Sequence, residues 1–269
     1  MGAKSKAYLN LVVFLLMMAV NLAGALGLIN GQAIRVVSDR YRTLLTPTPF
    51  TFGIWGFLYL LLLMSLAFMA LRHARESAAG AIAAVTPCFL VSSVANILWV
   101  FAFCYEWLAA AALLTIVMAA SLARLNRRLK RPEGRGLRLN ALAFGLYGGW
   151  AIVAALLGVS AYLVKAGWGG FGLTPQTWAL IMLGALLLFT LAVEARLQNA
   201  ALPLPLAWAC FGIWMQHRAG GAFLGQYPAI LAASALAAFA LIFIASGIYA
   251  LNTRCVLPPA GRRGEETAA

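Results

Sequence analysis

Residues 92–103 read Ser92-Ser93-Val94-Ala95-Asn96-Ile97-Leu98-Trp99-Val100-Phe101-Ala102-Phe103, a carboxamide one helical turn ahead of an indole inside an apolar run. Helical spacing puts Ser92, Asn96, Trp99 and Phe103 on one face. In hydrocarbon an Asn side chain has no water to bond, so it needs a partner on another helix, on a ligand or on trapped water. Two readings stay open for Asn96. It is either an interhelical hydrogen bond worth about 1 kcal/mol or less, or a polar contact to a bound small molecule.

The whole chain supports a membrane setting. It is 64% hydrophobic and only 10% charged, where ordinary soluble domains carry about 25% charge. The apolar runs are helix-length and lack the two-residue alternation of a membrane β-barrel, so the backbone must be satisfied inside helices. The fold class is all-α, a polytopic transmembrane bundle. Cys88, Cys104, Cys210 and Cys255 have neither metal nor disulfide spacing and read as small packing residues. A net charge of +13 would suggest nucleic acid for a soluble protein. In a membrane protein the placement of the charge matters more, and no nucleic-acid partner is expected.

Eight spans are expected, at 8–28, 50–71, 81–103, 107–123, 139–164, 175–193, 200–215 and 227–251. The first could be a signal peptide with Ala23-Gly24-Ala25 as its cleavage site, but its length and its Asn21, Gly24 and Gly27 favour a packed helix. Pro47 and Pro49 fix the start of the second span. The fifth is rich in small residues, and Gly148-Gly149 predicts close backbone approach or a kink. The seventh is short, with Pro203 and Pro205 in its first turns. Eight spans put three quarters of the 20 Lys and Arg residues on the side of the N-terminus, so both termini are expected in the cytoplasm. The link Arg124–Arg138 is the densest in charge. It reads as a positive-inside anchor touching anionic lipid headgroups, or as a docking site for an acidic partner.

Catalytic candidates are few. His73 and His217 fall in or beside links, Glu106 and Glu194 lie at span ends, and no HExxH, CxxC, GxSxG or phosphate-binding loop is present. No carboxylate is expected at membrane depth, which counts against an ion-coupled transporter. No enzymatic activity is expected. What the first five spans do contain is paired aromatics: Trp55 with Tyr59, Asn96 with Trp99 and Phe103, and Tyr147 with Trp150. Rings with a few placed polar groups hold a flat apolar ligand, and core packing would use the same residues.

At these positions the chain resembles the TspO/MBR family, the tryptophan-rich sensory proteins that include the mitochondrial translocator protein. The carriers are Pro47 followed by Trp55-x3-Tyr59, then Asn96-x-x-Trp99, then Tyr147-x-x-Trp150. Phe52 stands where the family usually has a proline three residues before the helix-two Trp, Leu146 replaces the proline before Tyr147, and Gly158 replaces a downstream Asn. The family bundle has five helices, so the likeness covers about residues 8–165. Three units follow: a five-helix unit (1–165), a three-helix extension (166–253) and a disordered cytoplasmic tail (254–269).

The resemblance implies a pocket open toward the link between the first two helices, for tetrapyrroles, sterols or similar flat molecules such as a porphyrin or haem-like ligand. On that carry-over the ligand-binding residues are Trp55, Tyr59, Asn96, Trp99, Phe103, Tyr147 and Trp150. A sterol-type pattern, Val159 to Lys165 through Tyr162, also reads as a simple interfacial anchor. The expected protein senses, sequesters or passes a hydrophobic small molecule, and a homodimer is a candidate assembly. A facilitative transporter and a structural subunit of a membrane complex are the alternatives.

Overall fold

The computed structural model describes residues 1–129, 135–253 and 255–258. Residues 130–134 of the basic link, and all of the expected disordered tail except 255–258, lie outside the described residues. Among the described residues there is no strand. Nine α-helices follow in order: α1 (Ala3–Ala25), α2 (Ile34–Arg40), α3 (Ile54–Leu71), α4 (Glu76–Cys104), α5 (Leu108–Arg128), α6 (Arg135–Lys165), α7 (Pro175–Leu197), α8 (Pro203–His217) and α9 (Pro228–Leu251). Proline opens α7, α8 and α9, where its missing N–H costs nothing and its φ already suits a helix. The chain is a helical membrane bundle, as its composition dictates.

Three details differ from the sequence reading. α2 is a two-turn helix within what reads as an open link. α4 starts at Glu76, before the expected residue 81, with that carboxylate in its first turn where the helix dipole favours it. Pro87 therefore lies inside α4. Beside it the Thr86 hydroxyl donates to the Ile82 carbonyl and accepts from Asn10 on α1 at 3.0 Å, which ties this turn of α4 to α1.

Among the described residues seven helices are long and apolar enough to cross a membrane. α8 is not among them: 15 residues span roughly 22 Å, short of a hydrocarbon core of about 30 Å. It nevertheless runs between the two ends of the bundle, because the link before it starts below the surface. Non-helical backbone at such depth has to be satisfied by protein, and here it is. Asn199 donates from Nδ2 to Asn126 Oδ1 at 3.0 Å and to the Ala141 carbonyl at 3.1 Å, its Oδ1 accepts from the Ala201 N–H, and its own N–H meets Glu194 Oε2 at 2.8 Å. Asn126 in turn donates to the Phe144 carbonyl on α6.

Close approach makes this link possible. A Cβ at Gly145 would run into the Asn199 side chain, and one at Gly149 into the Leu202 carbonyl. The small-residue face of α6 is thus a backbone-to-backbone seat for the link before α8, the close-approach half of the sequence expectation.

Two cores result. One gathers α1, α3, α4, α5 and the first half of α6 around Phe14, Leu66, Phe89 and Phe144. The other joins α3 and α6 to α7, α8 and α9 around Leu58, Trp150, Leu206 and Leu241. α3 and α6 belong to both. The start of α1 and residues 255–258 lie at one end: Ala7, Leu129 and Leu257 share a cluster, and the Val256 carbonyl accepts from the Ala200 N–H. The described part of the tail is therefore packed on the bundle. The opposite end carries residues 26–53, the α4–α5 turn and the α8–α9 link.

Candidate ligand-binding cavity

A cavity of about 530 Å³ opens among α1, α2, α3, α4, α6 and the end of α8. Its wall grows out of helical spacing. Trp55 and Tyr59 stand one turn apart on α3 with ring centroids at 5.2 Å, and Trp99 and Phe103 do the same on α4 at 5.4 Å. Trp150 of α6 meets Trp55 edge-on at 6.0 Å, and Phe52 approaches it from the other side at 6.1 Å. Beyond Trp150 the same face of α6 carries Ala154, Gly158 and Ala161, all of which line the cavity. Large rings on two helices facing small residues on a third leave a void that side chains do not fill.

Five of the seven residues named from sequence line this space: Trp55, Tyr59, Trp99, Phe103 and Trp150. Asn96 and Tyr147 do not. Asn96 is fully buried behind the wall, accepting from Asn21 Nδ2 at 2.6 Å and donating to the Met118 sulfur at 3.6 Å. The Tyr147 hydroxyl lies 3.7 Å from the sulfurs of both Met17 and Met118. Together these side chains form a floor beneath the rings. Of the two readings for Asn96, the structure displays the interhelical bond. The amide that reaches the cavity is its partner Asn21, another carboxamide in an apolar run and legible by the same argument.

The mouth is built from residues 30–53. Asp39 of α2 pairs with Arg42 at 2.6 Å and with Arg35 at 3.8 Å, and all three line the cavity. α2 is tied down beside them. Arg40 and Tyr41 both bond the Glu106 carboxylate, Tyr41 at 2.6 Å. Lys165 donates to the Glu106 carbonyl at 2.5 Å, and Asn30 to the Cys104 carbonyl at 3.1 Å. Glu106 holds a left-handed φ of 57° in the α4–α5 turn. In the sterol-type pattern Lys165 is therefore engaged by Glu106, while Tyr162 is exposed.

α8 braces the other side of the mouth. Trp208 Nε1 donates to the Thr51 carbonyl at 2.8 Å, the Gly212 carbonyl accepts from Thr48 N at 3.2 Å, and His217 Nε2 bonds the Leu44 carbonyl at 2.8 Å. A Cβ at Gly212 would strike Thr51 and Pro47. His217 lies at the end of α8 and stacks on Phe223 at 4.5 Å. Burial pushes its pKa below the usual imidazole value, against a smaller upward pull from the Leu44 bond. The sequence puts His217 in or beside a link, and the structure buries it.

A family model described as TSPO-like protein matches residues 7–248. The chain belongs to the TSPO-like family. No curated protein and no solved structure matches it. The family match runs on through α7 and α8 and into α9, whereas the motifs quoted from sequence end at Trp150. The TSPO-like region therefore includes the helices that brace the mouth, and the likeness reaches well past residue 165.

Proposed function

We propose that the protein binds a flat hydrophobic small molecule of tetrapyrrole or sterol type in this cavity, to sense or sequester it. The observation that carries the reading is the convergence of three indoles, Trp55, Trp99 and Trp150, on one void of about 530 Å³. That volume falls within the few hundred to about 1,000 Å³ usual for small-molecule sites. The lining has no histidine or cysteine, so a bound tetrapyrrole is held by ring contacts and not by iron ligation through those groups. The floor of Met17, Tyr147 and Met118 favours retention over passage. No enzymatic step enters this reading.

Lys and Arg collect in cytoplasmic loops, which supports reading the end where α1 begins and α9 finishes as the cytoplasmic one. Arg124, Arg127, Arg128 and Arg138 are exposed there and suit anionic headgroups.

The test is tryptophan emission from the full chain in nanodiscs titrated with protoporphyrin IX. Saturable quenching is expected, with Trp99→Ala and Trp55→Ala each weakening it about tenfold while the bundle stays folded by circular dichroism. Quenching that never saturates, or that both variants leave unchanged, overturns the proposal.

A further inference from the structure

One residue of α8 lines the cavity, Gln216. It is only 4% exposed, and among the described residues its carboxamide makes no hydrogen bond. An amide at the edge of an apolar cavity offers a donor and an acceptor to whatever enters it. It cannot easily swing away. Its own carbonyl accepts from Phe223 N at 3.1 Å, and the next residue, His217, is fastened to the Leu44 carbonyl.

The same mouth carries Arg35, Asp39 and Arg42. Two guanidiniums share one carboxylate, which leaves one positive charge without a balancing anion in that group. The C-terminal end of α8, where Gln216 sits, contributes roughly half a negative charge. That is too little to cancel the excess. A ligand head that is anionic and accepts hydrogen bonds answers both the charge and the amide N–H.

We propose that Gln216 and the Arg35–Asp39–Arg42 rim receive the carboxylate of an amphiphilic acid whose flat apolar body lies among the indoles. This rests on the cavity being a ligand site, and it gives the extension a direct part in selecting the ligand. α8 reaches across the bundle to add a second carboxamide to the cavity, beside the Asn21 amide that is already bonded to Asn96.

The experiment compares 1-pyrenebutyric acid with its methyl ester, read by quenching of tryptophan emission from the full chain in phosphatidylcholine nanodiscs, with empty nanodiscs as the partition control. Gln216→Leu is expected to weaken the acid about tenfold and the ester less than about twofold. Gln216→Glu should weaken the acid further, by like-charge repulsion, and leave the ester unchanged. If Gln216→Leu shifts acid and ester by the same factor, or shifts neither, the proposal falls. The cavity reading then survives provided both probes still bind saturably and Trp99→Ala weakens both. If neither probe binds the unaltered protein, both fall together.

Discussion

At the end of the bundle where α1 begins and α9 finishes, buried polar groups bond one another: Asn199 donates to Asn126, Ser65 to Asn140, Asn10 to Thr86, and Asn252 to the Gln198 carbonyl. At the opposite end the Tyr59 hydroxyl and the Trp150 indole N–H are buried without a protein partner, and Gln216 lines the same void. Away from that void Asn10 Oδ1 and Asn140 Nδ2 are also unpartnered, each in an amide bonded through its other atom, and Ser93 Oγ is unpartnered within α4. Polar groups that satisfy each other hold helices together. Polar groups left facing a space are what a ligand needs, and the contrast separates scaffold from site where composition alone does not.

Three changes break or sharpen that contrast. The largest effect is expected from Gly149→Leu, which drives a side chain into the Leu202 carbonyl. The link before α8 loses its seat, and folded protein should fall to a small fraction of the unaltered yield by size exclusion in mild detergent. Near-normal recovery would mean that the approach of α6 to this link does not hold the extension in place. Asn199→Ala comes next. It removes three side-chain hydrogen bonds and strands Asn126 Oδ1 and the Ala201 N–H, a loss of about 1–3 kcal/mol. Thermal unfolding should shift down clearly while the ligand affinity of the folded fraction is unchanged; a loss of affinity without a loss of stability would erase the division between the two ends. The smallest effect is expected from Glu106→Gln, which keeps an acceptor for Tyr41 but weakens the hold on Arg40. A partly exposed ion pair contributes about 1 kcal/mol or less, so ligand release should quicken about two- to fivefold in stopped-flow displacement. An unchanged release rate would show that α2 does not restrain the ligand.

Much of the site was legible before any fold was known, and the misses are instructive. Trp55-x3-Tyr59 and Asn96-x-x-Trp99-x3-Phe103 place groups on single helix faces, which follows from 3.6 residues per turn. Spacing cannot say what lies in front of a face. Asn96 therefore resembled a ligand contact until Asn21 was found bonded to it, and Tyr147 until its hydroxyl was found between two methionine sulfurs. The contribution of α8 was the least legible. Pro203 and Pro205 made it look like a doubtful span, and nothing local announces that Gln216 reaches a cavity built by other helices.

The sequence by itself determined residence in the membrane, the helical class, the near-alternation of spans and the aromatic faces, because hydropathy and helix periodicity are properties of contiguous residues. Only the tertiary structure decided which faces meet a void, which amides meet each other, and that a 15-residue helix completes the mouth. Lipid tails and a packed interior are equally apolar to a side chain. The rotation of each helix about its axis is therefore not written in its hydropathy, and it is settled where small residues such as Gly145 and Gly149 let one backbone come close to another.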